Sequence, residues 1–169
     1  MLTVVADTHG RDDHRLAGRT LAAVAAADRV VHAGDFTTET VLDAVASEAE
    51  SLTAVHGNND PPAVRERLPD TATLRWRDQT VVVAHGHEHS ETALGMLARQ
   101  EAADLVVVGH SHRPEIRDLD GAVLLNPGSY AEPRRYRPAH AELDADDERV
   151  RARLRSPDGT TFSTVTWER

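Results

Sequence analysis

The sequence predicts an α/β fold in which two packed β-sheets are flanked by helices. Short runs rich in Val and Leu alternate with Ala-rich helical patterns over the first two thirds of the chain. The last third instead alternates polar and apolar residues, which is typical of antiparallel strands with one exposed face. The length of 169 residues suits one domain with a sizeable core, so we expect a single domain over residues 1–169.

The first half of the chain alternates predicted strands with predicted helices. We predict strands at residues 2–6, 29–34 and 52–57, and helices at residues 15–27 and 38–49. Thr37 or Thr38 can cap the second helix, because a hydroxyl before the first turn accepts a hydrogen bond from a free backbone N–H. The Pro61-Pro62 pair predicts a short helical turn, since proline is favoured at the first helical position.

The second half begins with two neighbouring strands and ends in three antiparallel ones. We predict strands at residues 73–78 and 80–86, joined near Asp78-Gln79, then a helix at residues 90–103 and a strand at residues 105–110. A hairpin-like pair around Asp120-Gly121 ends in the segment 123–129, because Asp-Gly favours a tight turn. The last three strands are predicted at residues 140–144, 149–155 and 160–169.

The composition excludes several kinds of site and partner. The chain has no cysteine, which excludes both a disulfide framework and thiolate metal ligands. Its formal net charge of −9 argues against stable binding to nucleic-acid backbones, which needs a basic surface. No apolar run approaches the length of a membrane span, and the start MLTVVADTHG is too short for a signal peptide. We therefore expect a cytoplasmic protein without a membrane partner.

The basic residues are all of one type: the 19 of them are arginines. An acidic chain without lysine suits a protein that works at high salt, since high net charge aids solubility there. GC-rich codon usage also favours arginine and alanine, and the sequence does not separate the two explanations. It also leaves a homo-oligomeric state open.

Side chains able to bind metal follow five of the predicted strands, at the point where each strand ends. These residues are Asp7, His9, Asp35, Asn58, His85, His110 and His112. Ligand crevices form at the carboxyl ends of strands in open α/β sheets, so we expect these side chains to meet. Residues two apart point the same way while the chain is extended, which applies to Asp7 with His9 and to His110 with His112. Each motif alone is weak evidence, whereas five in order predict a metal site.

The series DTH, GD, GNND, HGH and GHSH resembles the calcineurin-like metallophosphoesterase superfamily. It is most similar to the small, single-domain bacterial and archaeal phosphodiesterase branch, whose signature resembles NPGS at residues 126–129. The resemblance covers residues 4 to about 130, and the motif set as a whole is specific. It implies a four-layer α/β/β/α sandwich of two packed mixed sheets flanked by helices, with a dinuclear metal site.

The resemblance also implies a role for each motif residue. It implies one metal held by Asp7, His9, Asp35 and His112, and a second held by Asp35, Asn58, His85 and His110. Asp35 would bridge both ions, and Asp35, Asn58 and His85 would be the catalytic residues. Such ligands suit Mn²⁺, the ion that we expect, and also Fe²⁺, Zn²⁺, Co²⁺ or Ni²⁺. Two ions about 3.5–4 Å apart would convert a bridging water into hydroxide for in-line attack on phosphorus.

Two positions depart from the family pattern. Asn59 stands where nuclease and protein-phosphatase relatives carry a histidine, and an amide cannot protonate a leaving oxygen. The loop GDFTTET lacks the GDxxDRG pattern of protein and dinucleoside-tetraphosphate phosphatases, which argues against those activities. We assign Asn59 and His87 to substrate binding. The alternative for His87, and for His89, is a place on the rim of the site without substrate contact, and their position after His85 favours this alternative.

The remaining histidines and one basic cluster are assigned smaller roles. His32 lies inside a strand and is predicted to be a packed core residue, whereas His14 and His140 are predicted to lie on the surface. His56 precedes GNND and either supports the ligands or is structural. The cluster Arg-Arg-Tyr-Arg at residues 134–137 either meets an anionic substrate or forms a solvated loop, and the pattern favours the loop.

The function that follows is a metal-dependent phosphodiesterase acting on a small phosphorylated substrate. A phosphomonoesterase of small metabolites is the alternative within enzymes. A non-catalytic protein-binding scaffold similar to the retromer subunit that shares this fold is the alternative outside them. All seven ligand residues are present, which favours the enzyme.

Overall fold

The computed structural model describes all 169 residues, and its strands form two β-sheets. In chain order the elements are β1 (Leu2–Val5), α1 (Gly18–Ala26), β2 (Arg29–His32), α2 (Glu39–Glu48), β3 (Leu52–Ala54), α3 (Pro62–Arg65), β4 (Thr71–Trp76), β5 (Gln79–Ala84), α4 (Glu91–Gln100), β6 (Leu105–Val107), β7 (Glu115–Leu119), β8 (Ala122–Asn126), β9 (His140–Ala145), β10 (Arg149–Arg155) and β11 (Thr161–Glu168). Sheet A has the strand order β11-β10-β9-β1-β2-β3, and sheet B has the order β4-β5-β6-β8-β7.

Both sheets are mixed, and each contains three adjacent parallel strands. In sheet A, β1 pairs in parallel with β2 and β2 with β3, so that Val4 lies opposite Val31 and His32 opposite Ala54. In sheet B, β5, β6 and β8 are parallel neighbours. Because parallel strands end on the same side of a sheet, the loops after β1, β2 and β3 lie together, as do those after β5 and β6.

The two sheets pack face to face around the main hydrophobic core, and the helices cover their outer faces. Leu2 and Val4 of β1 belong to the core between the sheets, whereas Val5 packs in the cluster beneath α1. α2 and α3 also cover sheet A, through a cluster that contains Val41 and Val64. α4 covers sheet B. The four-layer α/β/β/α sandwich is therefore confirmed.

Two local predictions are confirmed by the backbone and its hydrogen bonds. The Thr38 hydroxyl caps α2 by accepting a hydrogen bond from Val41 N at 3.1 Å. Asp120 and Gly121 form the turn between β7 and β8 with φ of 51° and 96°, the left-handed values that a tight hairpin turn requires. None of the helices is both long enough and apolar enough to cross a lipid bilayer.

The first helix begins later than predicted. α1 starts at Gly18, whereas the Leu- and Ala-rich pattern predicted a start at Arg15. Arg15 has a φ of 56° and Ala17 is extended with a φ of −149°, so neither residue can belong to a right-handed helix. Apolar periodicity carries no signal for such a change of backbone direction, and the prediction therefore placed the start too early.

The C-terminal strands are antiparallel as predicted, but β9 is not half-exposed. It inserts between β10 and β1, and α1 covers its outer face. His140, predicted on the surface, is fully buried, with Nδ1 3.0 Å from Thr20 Oγ1 and Nε2 3.0 Å from Glu142 Oε1. Arg19 donates to both oxygens of Glu142, at 2.6 and 2.5 Å. We call these four residues, Arg19, Thr20, His140 and Glu142, the Glu142 cluster.

Candidate metal centre

The ends of five strands bring the predicted ligand residues to one edge of the sandwich. Sheet A contributes Asp7 and His9 after β1, Asp35 after β2, and Asn58 after β3. Sheet B contributes His85 after β5, and His110 and His112 after β6. The structure therefore brings all seven predicted ligand residues together, across the join between the two sheets.

Asp7, His9 and His112 form a first group at this edge. His112 Nε2 lies 3.5 Å from Asp7 Oδ1, and His9 Nε2 lies 3.9 Å from the same oxygen. Asp35 joins the group because its Oδ2 lies 3.3 Å from His9 Nε2. Asp7, Asp35 and His112 are buried, so water does little to solvate their polar atoms.

Asn58, His85 and His110 form a second group beside the same carboxylate. Asn58 Oδ1 lies 3.1 Å from His85 Nε2 and 2.9 Å from His110 Nδ1. His85 Nε2 also lies 3.3 Å from Asp35 Oδ2. Asp35 Oδ2 is therefore equally close to an imidazole nitrogen of each group.

Three buried atoms of the first group have no hydrogen-bond partner: Asp7 Oδ2, His9 Nε2 and His112 Nε2. Leaving such atoms unpaired is costly, so their convergence calls for a ligand. Carboxylate oxygens and imidazole nitrogens fit a divalent transition metal. The ligand atoms of Asp7, Asp35 and His85 also lie within 4.8 Å of one another, so Asp7 belongs to two groups that could each hold a metal ion.

Backbone carbonyls orient two of the imidazole rings. His85 Nδ1 donates to the Ala33 carbonyl at 2.7 Å, and His112 Nδ1 donates to the Glu132 carbonyl at 2.5 Å. A carbonyl oxygen can only accept, so the proton of each neutral ring is on Nδ1 and the Nε2 lone pair faces the centre. The backbone thus orients both rings toward the centre.

Two buried carboxylates dominate the electrostatics of the centre. Burial opposes a charge on Asp35, but the neighbouring imidazoles of His85 and His9 hold the pKa of its carboxyl well below the usual range. Burial also opposes a charge on His9, yet Asp35 and Asp7 raise its pKa to about 9. The same carboxylates raise the pKa of His85 against its burial. The centre therefore attracts cations, and protons compete with metal for its imidazole nitrogens.

Five of the seven residues have a left-handed backbone. Their φ values are 53° for Asp7, 46° for His9, 63° for Asp35, 64° for His110 and 58° for His112. Such values are uncommon outside glycine, cost energy and concentrate at functional sites. Asp7 and His9 do converge as predicted, but through a left-handed rather than an extended backbone. His110 and His112 instead lie in different groups, beside Asn58 and Asp7 respectively.

Two glycines allow the ligand loops to approach one another. A β-carbon at Gly57 would collide with the Asp35 carboxylate. Gly34 has a φ of 93°, and a β-carbon there would lie 2.7 Å from His85 Nδ1. Only glycine suits both positions.

Asp60 fixes two ligand loops and was not predicted as a site residue. It is 3% exposed and accepts hydrogen bonds from the backbone N–H groups of Asp35 and Gly57, at 3.0 and 2.7 Å, and of Thr37 at 2.7 Å. It therefore ties the loop after β2 to the loop that carries Asn58. The only indication in the sequence was that Asp60 ends the GNND motif. Nothing in the motif separates the role of this carboxylate from the roles of the neighbouring residues.

The NPGS segment fixes two further ligand loops. Asn126 Nδ2 donates to the Gly109 carbonyl at 2.7 Å, which holds the loop after β6. Ser129 Oγ donates to the Asp7 carbonyl at 2.7 Å, which holds the loop after β1. The segment acts on the backbone of the ligand loops and supplies no ligand itself.

The two residues assigned to substrate binding both adjoin the centre. Asn59 donates to both oxygens of Asp35, from N at 2.8 Å and from Nδ2 at 2.7 Å. His87 is half-buried, and its ring centroid lies 5.3 Å from that of His85 and 6.1 Å from that of His110. Asn59 therefore acts on a proposed ligand, whereas His87 borders the second group.

Two other histidines lie outside the ligand set. His32 is fully buried and stacks on Phe36 with 3.7 Å between ring centroids; burial, assisted by the charge of His85, lowers its pKa to about 3. Its predicted core role is confirmed. His56 pairs with Asp70, with 2.6 Å between Nε2 and Oδ1, rather than with a ligand residue.

A family model described as the calcineurin-like phosphoesterase superfamily domain matches residues 1–148. The chain belongs to this superfamily. Among superfamily relatives, a probable metallophosphoesterase of Methanothermobacter thermautotrophicus is 31% identical over 165 residues, which cover 91% of each chain. A phosphodiesterase of Methanocaldococcus jannaschii is 25% identical over 112 residues, or 60% of this chain and 66% of that protein.

Solved structures show the same superfamily fold. Vacuolar protein sorting 29 from Cryptosporidium parvum superposes with a TM-score of 0.81 over 99% of this chain and 97% of that one. The two sequences are 15% identical, so this likeness concerns the fold alone. Superfamily membership and the converging Asp and His groups together support phosphoester hydrolysis with divalent metal.

Proposed function

We propose that this protein is a phosphodiesterase that works with two divalent metal ions. The observation that carries the proposal is the set of buried, unpaired ligand atoms on Asp7, His9 and His112. The Asp35 carboxylate lies between these residues and the second group. The archaeal relative named a phosphodiesterase supports the diester class.

The chain's residues would divide between the two metal positions. Asp7, His9, Asp35 and His112 would hold one ion, and Asp35, Asn58, His85 and His110 the other. When bound, the ions would activate water as the nucleophile and neutralise charge on the phosphoryl oxygens. Asn59 would keep the shared carboxylate in place through its two hydrogen bonds. We propose manganese, with iron, zinc, cobalt or nickel as substitutes.

The surroundings of His87 and His110 favour the uncharged form of each imidazole. Burial, followed by the charge of nearby His85, lowers the pKa of both residues. A neutral His110 offers a lone pair to metal, and a neutral His87 can exchange one hydrogen bond with a small anionic substrate. We therefore assign His87 to substrate contact rather than to metal binding.

The preferred substrates would be diesters with good leaving groups. The amide of Asn59 cannot protonate a departing oxygen. An aryl oxide leaves without protonation, whereas an alkoxide gains from a general acid. We therefore expect aryl diesters to be hydrolysed faster than alkyl diesters.

The proposal is tested by hydrolysis of bis-p-nitrophenyl phosphate after chelation and metal readdition. We expect activity to disappear with chelation and to return with Mn²⁺, because the nucleophile needs a metal to form near neutral pH. Asp7→Asn should remain inactive after readdition. Asp12→Asn, which removes an exposed carboxylate, should behave like the wild type. Full activity after exhaustive chelation would contradict the proposal.

Two alternatives are separated by the same assay. Faster hydrolysis of p-nitrophenyl phosphate than of the diester would indicate a phosphomonoesterase. The likeness in fold to vacuolar protein sorting 29 favours a binding scaffold as the rival outside enzymes. A scaffold would bind metal at this centre and hydrolyse neither compound.

A further inference from the structure

The loop at residues 132–137 borders the metal centre, and the proposed function makes no use of it. Its first residue is tied directly to the centre, because the Glu132 carbonyl accepts from His112 Nδ1 at 2.5 Å and Glu132 N donates to Ser129 Oγ at 2.8 Å. A backbone hydrogen bond of 2.9 Å from Tyr136 N to the Pro133 carbonyl closes the turn. The loop therefore has a defined position beside a proposed ligand.

A cleft of about 310 Å³ separates this loop from the segment between two proposed ligands. It is lined by Ser111, Arg134, Arg135 and Tyr136. Ser111 lies between His110 and His112 in the sequence, and neighbouring Cα atoms are only about 3.8 Å apart. The cleft therefore adjoins the loop that carries two of the proposed ligands.

The polar groups of the cleft are mainly hydrogen-bond donors. Ser111 Oγ already accepts from Asn126 Nδ2 at 3.0 Å and from Arg113 N at 3.2 Å, so its own proton is free to donate. Arg134 is exposed and makes no hydrogen bond or ion pair with the chain, even though acidic residues are in excess. Such a lining suits an anion.

Arg135 is held in place by its neighbour. Its Nη2 donates to Tyr136 Oη at 3.1 Å, and the guanidinium carbon lies 5.2 Å from the centroid of that ring. These contacts orient the guanidinium and leave most of its N–H groups available. Arg134 and Arg135 can thus bind the same anionic group.

We propose that the cleft binds a second anionic group of the substrate, a carboxylate or phosphate carried on an arm of the phosphodiester. The inference rests on the proposed function and narrows its substrate class to diesters with an acidic arm. Arg134 and Arg135 would be specificity residues, and Ser111 would add one hydrogen bond.

The test compares three p-nitrophenyl alkyl phosphodiesters whose short arms end in a carboxylate, a hydroxyl or a trimethylammonium group. For the wild type with Mn²⁺ we expect kcat/KM to be about two- to fivefold higher for the carboxylate arm than for the hydroxyl arm, the upper part of the range for exposed charge pairs. The trimethylammonium arm should be the slowest. The difference should lie in KM, because the arm is remote from the reacting bond.

Two variants isolate the contribution of the loop. In the double variant Arg134→Gln/Arg135→Gln the ratio between the carboxylate and hydroxyl arms should approach one. Arg151→Gln is the control, since it removes the charge of an exposed arginine on β10 and should keep the wild-type ratio. A wild-type ratio near one would overturn the inference while leaving the proposed function intact.

A binding measurement keeps the two proposals separable. Mn²⁺-loaded protein is titrated with 3-phosphonopropionate and with butylphosphonate, which differ in the carboxylate. We expect tighter binding of 3-phosphonopropionate to the wild type and equal binding of both to the double variant. This result without any hydrolysis would overturn the proposed activity and support the anion cleft. Equal binding of both probes to the wild type would overturn the cleft.

Discussion

Two buried clusters of charged residues lie in this molecule, and they differ in how their polar atoms are satisfied. In the Glu142 cluster, Arg19 donates to both carboxylate oxygens, and His140 Nε2 lies 3.0 Å from one of them. In the metal centre Asp7 is equally buried, yet its Oδ2 has no partner, and neither do the facing nitrogens of His9 and His112.

The difference teaches that burial of charge alone does not mark a functional site. An arginine saturates a carboxylate and offers no lone pair to a metal, so it closes the Glu142 cluster. No arginine forms an ion pair with Asp7 or Asp35, and their partners are histidines that can bind either a proton or a metal. Beside Glu142 one buried atom, Arg155 Nε, lacks a hydrogen bond, at 3.6 Å from Oε1, whereas three unpaired atoms converge in the metal centre. The convergence of several unpaired atoms therefore distinguishes the metal centre from the Glu142 cluster.

Asp35→Asn should give the largest effect, because it removes the negative charge at the middle of the metal centre. The amide keeps the shape but loses the charge that both ions share, so we expect hydrolysis of an aryl diester to fall by about 10³-fold or more. Metal analysis should find fewer than two ions per chain. Retention of two ions in this variant would show that Asp35 does not bridge them.

Glu142→Gln would disrupt the Glu142 cluster and leave the residues of the metal centre unchanged. Removing one member of a buried ion pair typically costs about 3–5 kcal/mol, and Arg19 is partly exposed, so we expect a loss of about 3 kcal/mol in the free energy of unfolding. Denaturant titration of the metal-free protein measures it. Metal affinity should not change, and a variant as stable as the wild type would mean that the cluster contributes little to stability.

The same variant sharpens the comparison through pH. Burial opposes the charge on Glu142, but hydrogen bonds from His140 and Arg19 lower its pKa from 4.5 to about 2. A lowered carboxyl pKa stabilises the folded state above the unfolded value, and this contribution is lost as pH falls through the folded one. As pH falls from 4.5 to about 2, the free energy of unfolding should therefore decrease by about 3 kcal/mol more in the wild type than in Glu142→Gln. Parallel pH profiles of unfolding free energy would contradict this assignment.

Asp60→Asn tests whether the hydrogen bonds from Asp60 to the ligand loops maintain the metal centre. The amide would replace one acceptor with a donor facing the N–H groups of Asp35, Thr37 or Gly57. Residues that orient metal ligands typically contribute about 10–100-fold in affinity, and we expect Mn²⁺ affinity to fall within that range. Competition with a fluorescent chelator measures it, with Asp12→Asn as the matched control. Unchanged affinity would assign Asp60 to folding alone.

Asn59→His should give the smallest effect. An imidazole at this position could protonate a leaving oxygen, so the rate on alkyl diesters should rise more than the rate on aryl diesters. We expect about tenfold, below the roughly 10²–10⁴-fold of a well-positioned acid, because the hydrogen bond from Asn59 Nδ2 to Asp35 would be lost. The readout is kcat/KM for diesters of graded leaving-group pKa. A shallow dependence in the wild type would show that another residue already acts as the acid.

The fold and the convergence of the seven candidate ligand residues were accessible from sequence because both depend on strand ends. A run such as VVVAHG ends a buried strand with a histidine and a glycine, and parallel strands end on one side of a sheet. The convergence of His85 with Asp35 therefore followed from order along the chain. The left-handed backbone at Asp7 and His110 did not follow, because the torsion angles are set by the neighbouring loops.

Features that depend on long-range pairing were missed. His140 was placed on the surface because its local pattern alternates, whereas the pairing of β9 with β1 and the contact with Thr20 on α1 bury it. Asp60 was overlooked because its partners are backbone N–H groups, which every residue type carries. The residue type at position 60 therefore gave no indication of which groups Asp60 would contact.

The position of the centre across both sheets has a mechanical consequence. Sheet A supplies part of each proposed coordination set and sheet B supplies the rest, through His85, His110 and His112. A bound ion would act as a non-covalent cross-link between layers that are otherwise joined by apolar packing and a few hydrogen bonds. An ion that binds only the folded chain raises the free energy of unfolding in proportion to the logarithm of its concentration. The stability of the folded sandwich would therefore depend on metal supply.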